Sequence, residues 1–261
     1  MSSLQYLGST SDFLNLGPDA VVKMPKKVWG GNPNHELRNE ENVTALKVER
    51  QIIESLGNHP RIVPYLGPYK QTGIKLAKAD HGNLQAYIDN NNQHLATTLR
   101  WKWVLQAAEP IAYLHSQGVI HSDLRPENYL VHSAECDLWL CDFGGSMCEK
   151  LGLDGGHLPD DPFYDPRLPW ESTPATDIFS LGSILYTIMT GHWPFRTGPA
   201  PRGAEKDAFM EEANKFFAAG QFPDISNVPG GKVIKGCWDH TYSSADEVVK
   251  AIRLEMARMS M

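Results

Sequence analysis

Apolar positions in residues 1–76 group into short β-prone runs and one helical stripe, and from residue 83 they keep helical spacing. Val21, Val22 and Met24 around Lys23 form a β-prone run that Pro25 ends. After Trp29-Gly30-Gly31-Asn32-Pro33, a helical stretch is expected from about 41 to 56, where Gly57, Asn58 and Pro60 supply a stop. Leu46, Glu49, Ile53 and Leu56 share one face of it at i, i+3, i+7 and i+10. Ile62-Val63 and the segment 74–77 read as further strands. From residue 83 the pattern is helical: Thr97 or Thr98 can cap a helix carrying Val104, Ala107, Ala108 and Ile111, which Pro110 should kink. Tyr129-Leu130-Val131 and Leu138-Trp139-Leu140 flank a turn and predict a hairpin. Residues 144–176, rich in Gly, Pro and Asp, predict a long irregular loop, and such loops are usually functional or disordered. Thr176 then caps an apolar helix over 178–189. With no internal repeat and no flexible joint, these elements predict an α+β chain of two lobes.

Composition narrows the function. Hydrophobic residues make up 41% and charged residues 21% of the 261, enough to bury a core. A net charge of −7 and the absence of a Lys/Arg run argue against nucleic acid as a partner. No stretch approaches the roughly 18 apolar residues of a membrane span. Met1-Ser2-Ser3-Leu4-Gln5 has neither the basic nor the apolar part of a secretory signal, so Asn42-Val43-Thr44 is read as an idle glycosylation match. Cys136, Cys141, Cys148 and Cys237 show neither zinc-site spacing nor a disulfide framework. Reduced thiols in an intracellular, cytoplasmic protein are expected, with the nucleus left open. The seven tryptophans are read as core and lobe packing.

The chemistry concentrates in His121-Ser122-Asp123-Leu124-Arg125-Pro126-Glu127-Asn128, followed by Asp142-Phe143-Gly144. Phosphoryl transfer needs metal ions to bridge phosphates, for which Asn and Asp oxygens are suitable hard ligands. It also needs a carboxylate free of metal to accept the hydroxyl proton. Asp123, Asn128 and Asp142 offer that set, the last two joined through the predicted hairpin. In the front half, Glu49 inside an apolar stripe would be costly without a cation, and Lys23 upstream is the candidate.

These motifs resemble the eukaryotic-type protein kinase domain, Ser/Thr-like, with its catalytic loop H-R-D-x-K-P-E-N and its D-F-G. Val21-Val22-Lys23 is similar to the lysine strand V-A-I-K, and Asp177-Ile178-Phe179-Ser180-Leu181-Gly182 to D-x-W-S-x-G. The stretch from His121 to Val131 looks like compact kinases of filamentous fungi. The resemblance covers essentially the whole chain and implies a bilobal fold, with a small β-rich N-lobe carrying one helix (1–76), a hinge (77–82) and a larger helical C-lobe (83–261). It implies ATP and Mg²⁺ as cofactors and a protein as substrate. Asp123 would be the catalytic base, Asn128 and Asp142 the metal ligands, Lys23 and Arg125 the phosphate contacts, and Glu49 the partner that positions Lys23. Leu76 would be the gatekeeper, with Ala77, Lys78 and Ala79 facing adenine and Gly8 beginning the phosphate loop. Asp177 would bond the catalytic-loop backbone.

The pattern is also broken. Gly8-Ser9-Thr10-Ser11-Asp12-Phe13 keeps one glycine of G-x-G-x-x-G, so weakened ATP binding or an unusual loop path is expected. Ser122 replaces the arginine that meets a phosphorylated loop, and Arg125 stands where lysine is usual. Asp154, Asp160, Asp161 and Asp165 make the long loop acidic: either a solvated loop or a preference for basic substrates. Pro169-Trp170-Glu171 is the nearest match to A-P-E, and the arginine that normally pairs with that glutamate has no counterpart after Cys237-Trp238. Two other readings stay open: a pseudokinase acting as a scaffold, and a small-molecule kinase, since His121-Ser122-Asp123 with Asn128 is also similar to H-G-D-x-x-x-x-N.

Overall fold

Residues 10–31 and 33–259 are described by the computed structural model. The front half is a sheet and one helix. Strands β1 (Ser11–Asn15) and β2 (Ala20–Pro25) form a hairpin; α1 (His35–Leu56) follows, then β3 (Tyr65–Tyr69) and β4 (Gly73–Ala77). All neighbours are antiparallel, in the order β1-β2-β4-β3. β2 is therefore interior, and its register sets Val21 opposite Leu76 and Lys23 opposite Ile74. Because side chains alternate along a strand, Val21 and Lys23 share one face.

α1 starts earlier than its apolar stripe. Its first turns are polar, and they are tied down by the loop before them. Asn39 accepts from the Val28 N–H at 2.8 Å and donates to its carbonyl at 3.0 Å, while Asn42 donates to the Lys26 carbonyl at 2.8 Å. Leu46, Glu49, Ile53 and Leu56 are all buried. Ile62-Val63 is buried but makes only a bridge to Leu140, with the Val63 N–H donating to its carbonyl at 2.9 Å. The strand there is β3, shifted in register between Tyr65 and Gly67.

The back half is helical: α2 (Leu84–Asn91), α3 (Thr97–Ser116), α4 (Pro174–Thr190), α5 (Ala204–Ala218), α6 (Gly231–Trp238) and α7 (Ala245–Met259). Thr97 is the first helical residue of α3 and caps nothing; Pro110 lies inside a helix that continues past it. The cap of α4 is Thr173, whose hydroxyl accepts from the Thr176 N–H at 3.3 Å, so the helix begins before the expected Thr176. Between α3 and α4 lie β5 (Val119–Ile120), the hairpin β6 (Tyr129–His132) and β7 (Asp137–Leu140), then β8 (Met147–Cys148) and β9 (Leu153–Asp154). β8 pairs with both β5 and β9, so the long loop opens with an ordered hairpin. Trp103, Trp193 and Trp238 are fully buried as expected, whereas Trp29 and Trp170 are 72% and 68% exposed.

The whole is a bilobal α+β fold. α4 is its deepest element, buried from Thr176 to Met189, with α3 and α6 against it. Gly182 makes the α6 contact possible: a Cβ there would lie 2.7 Å from Cys237 Cβ. Gly182→Ala is expected to cost about 1–3 kcal/mol of stability through overpacking, read as a lower urea midpoint at unchanged slope.

Candidate active site

The segment from His121 to Asn128 hangs from α4. Asp177, in the first turn of that helix, is 1% exposed; its Oδ2 accepts from the His121 N–H at 2.8 Å and its Oδ1 from the Ser122 N–H at 2.9 Å. His115 Nε2, from the end of α3, meets the same carboxylate at 3.0 Å. Such buried donors left without acceptors would each cost about 1–3 kcal/mol. Ser122 (φ +69°) and Asp142 (φ +67°) both hold left-handed backbone, which is strained for residues with a Cβ and concentrates at functional sites.

Within the loop, Asn128 Nδ2 donates to the Asp123 carbonyl at 2.6 Å and to Asp123 Oδ2 at 3.2 Å, leaving its own Oδ1 available. Asp123 Oδ1 is buried and has no hydrogen-bond partner among the described residues. Burial raises the Asp123 carboxyl above its ordinary value, against the pull of Arg125 and His157. Arg125 does not line the cleft itself: its guanidinium meets Glu127, which does, at 3.2 Å and Asp160 at 3.4 Å.

Across the lobes, Lys23 Nζ lies 2.6 Å from Glu49 Oε2 and 2.7 Å from Asp142 Oδ1. Lys23 and Glu49 are buried, while 39% of the Asp142 side chain opens to the cleft. One ammonium thus serves two carboxylates. Burial raises Glu49, and Lys23, shared with Asp142, only partly opposes it, so its carboxyl sits at about 7. For Asp142 burial also pushes up, yet Lys23 overcomes it and holds the carboxyl low. Lys23 in turn resists burial and is held above its ordinary value by Asp142 and Glu49. Phe143 is buried with its ring 5.2 Å from that of His121.

Between the lobes lies a cleft of about 230 Å³. Lys23, Glu49, Leu76, Ala77, Lys78, Ala79, Asn128 and Asp142 all line it, so those expected site residues are brought together. Its apolar walls are Val21 and Phe13 above and Leu130 below, with Cys141 beside Asp142; none of these was among the expected site residues. Ala77 and Lys78 direct their N–H groups to Pro64 and Asp19, and the Ala79 N–H has no backbone partner among the described residues. Asp123 adjoins the cleft through Asn128. Gly8 lies outside the described residues.

The end of the long loop differs from expectation. Glu171 is exposed, and the buried carboxylate is Asp165. It takes a bidentate pairing from Arg167 at 2.8 Å and a contact from His240 Nε2 at 2.7 Å, two residues beyond Trp238. Burial opposes its ionisation, but the bonds from His240 and Arg167 prevail and hold it at about 2. A histidine and a neighbouring arginine thus tie down the end of the loop, a pairing that sequence spacing did not reveal.

Residues 32–243 match the model of the protein kinase domain. The chain belongs to the protein kinase family. This kinase is 30% identical over 207 residues to ribosomal protein S6 kinase alpha-1 of Rattus norvegicus, covering 72% of the chain and 27% of the relative. It is 29% identical over 224 residues to the probable serine/threonine-protein kinase gdt2 of Dictyostelium discoideum, covering 81% and 13%. To smooth-muscle myosin light chain kinase of Gallus gallus it is 28% identical over 189 residues, covering 67% and 9%. The chain therefore spans a minor part of the length of these relatives. The family match starts beyond β2, so the place of Lys23 rests on geometry.

The shared ammonium predicts a pH dependence. Glu49 binds its proton more tightly folded than unfolded, so its contribution to stability is present below its ordinary 4.5 and lost as pH rises to about 7. Urea midpoints of Glu49→Gln are expected to gain on those of the wild type across that window and to keep a constant difference above it. A difference that falls with pH contradicts the sharing of Lys23.

Proposed function

We propose that this kinase domain transfers the γ-phosphoryl group of Mg²⁺–ATP to Ser or Thr hydroxyls of a protein. The observation that carries this is the assembled cleft: Lys23 held between Glu49 and Asp142, with Asn128 beside an Asp123 whose Oδ1 is unspent. We take the chain as one catalytic domain, with 1–76 as N-lobe, 77–82 as hinge and 83–261 as C-lobe.

The residues fit the cofactors. Asp142, which Lys23 holds ionised, keeps an open face toward the cleft, which suits a divalent cation. Asn128 Oδ1 and Asp142 are two hard ligands, and no group of three or more acidic, His or Cys side chains among the described residues forms a metal cage. That is the donor set of Mg²⁺, which relies on substrate phosphates and water for its other positions. Bound there, the metal supplies charge neutralisation for the phosphates.

The chain's own residues do the rest. Val21 and Leu130 enclose the apolar base, Leu76 limits the depth of the pocket, and the Ala79 N–H with the Ala77 carbonyl addresses the base edge. Lys23, fixed by Glu49, meets α/β-phosphate oxygens. Asp123 orients the acceptor hydroxyl and takes its proton as that oxygen bonds to the transferred phosphorus and the bridging oxygen departs with ADP. Arg125 adds positive charge at the γ-phosphate, anchored by Glu127.

Arg125-Pro126-Glu127 and the relatives named as serine/threonine kinases support Ser/Thr acceptors. A preference for basic substrates finds less support. Asp165 is neutralised in the interior, Asp160 is met by Lys206 at 2.9 Å and by Arg125, and Asp154 accepts from the Gly156 N–H. The same Asp160 pairing supports activity without loop phosphorylation. No described helix is long and apolar enough to cross a membrane, and the four cysteines are free, which supports a cytoplasmic location.

The test is phosphate transfer from γ-labelled ATP to arrayed Ser, Thr and Tyr peptides. Turnover on Ser/Thr peptides is expected, lowered about 10²–10⁴-fold by Asp123→Asn with nucleotide-induced thermal stabilisation retained. Nucleotide binding without turnover by the wild type would instead favour the scaffold reading.

A further inference from the structure

One imidazole of the long loop stands beside the proposed base. His157 Nε2 lies 3.9 Å from Asp123 Oδ1, the buried oxygen for which the described residues supply no hydrogen bond. The other oxygen is already engaged by Asn128. Buried carboxylate oxygens are rarely left without a donor, and a separation just beyond hydrogen-bond range is closed by a small side-chain rotation or by one bridging water.

The backbone is built to bring this ring there. Beyond β9, the Asp154 carboxylate accepts from the Gly156 N–H at 2.8 Å, and Gly156 turns the chain at φ +66°. Gly155 lies so close to the segment after Phe143 that a Cβ would sit 2.3 Å from the Gly144 carbonyl oxygen. Gly145 completes the arrangement, since a Cβ there would lie 2.9 Å from His157 Cβ and 3.7 Å from Asp123 Cβ. Glycines on both sides thus let two backbones touch at the place where His157 meets Asp123. Only side chains with a Cβ would separate them.

The ring is 58% exposed, so packing is not its reason for being there. Its charged surroundings are Asp123 and Asp160, the latter paired with Arg125 and Lys206.

We propose that His157 is the positioning residue for Asp123: an imidazole N–H holds Oδ1, directly or through one water, in the orientation that receives the acceptor hydroxyl. This rests on the phosphotransfer reading above. Asn128 then fixes one carboxylate oxygen and His157 one of the two acceptor positions of the other, whose second position receives the hydroxyl, and the carboxylate plane no longer rotates between attack geometries.

His157→Ala and His157→Gln in the full chain test it. With a Ser/Thr peptide, His157→Ala is expected to lower kcat about tenfold, the scale of a mispositioned reacting group, while the KM for ATP and the thermal stabilisation by Mg²⁺–ATP stay at wild-type values. His157→Gln, which keeps an N–H donor on a side chain of similar reach, is expected to restore most of the rate, and added imidazole to rescue His157→Ala in part. An unimpaired His157→Ala beside an active wild type overturns the proposal alone. Equal losses in the Ala and Gln variants with lowered melting temperatures overturn it too, in favour of a merely structural side chain. No turnover by the wild type on any acceptor overturns it together with the phosphotransfer reading.

Discussion

A buried ammonium shared by two carboxylates holds the site together. Lys23 comes from the sheet, Glu49 from α1 and Asp142 from the strand end below, so the three cannot meet unless helix, sheet and lower lobe are in register. Burying charge is costly and is offset only by close pairing. At 2.6 and 2.7 Å Lys23 makes two such pairs, yet one cation cannot neutralise two anions. Burial pushes the Glu49 carboxyl up to about 7, with Lys23 only partly opposing it and Asp142 adding to it, and the Asp142 face is left open to the cleft. The geometry is complete as a protein framework and leaves one carboxylate facing the cleft.

The lower half depends on a comparable device. Asp177 accepts two consecutive backbone N–H groups and so fixes where His121 to Asn128 begin. Because Asp177 starts α4, the most buried helix, the loop inherits the rigidity of the core. The long loop is tied at both ends, by β8 on β5 at its start and by Asp165 with Arg167 and His240 at its finish. Between these ties the glycines bring His157 to Asp123.

Much of this was legible in the sequence, for identifiable reasons. The spacing of Leu46, Glu49, Ile53 and Leu56 showed a carboxylate in an apolar stripe, and a buried charge demands a partner; the α+β division followed from a change of periodicity. Long-range pairings between polar residues leave no periodic trace. The start of α1 was missed because Asn39 and Asn42 bond the preceding loop and carry no apolar pattern. β3 was missed because Gly67 and Pro68 mask it. Asp165 was passed over for Glu171 because burial, and not residue type, decides which carboxylate is structural. His240 and His157 act through contacts 75 and 34 residues away in the chain, beyond any local signal.

The proposed function makes the cleft an assembled site for ATP with a divalent cation. Calorimetric titration of the whole chain with ATP, in Mg²⁺ and again in a chelator, tests it directly. Saturable binding in Mg²⁺ that weakens at least tenfold in the chelator, about 1.4 kcal/mol, is the result the geometry predicts. No binding in either condition, or equal binding in both, would contradict it.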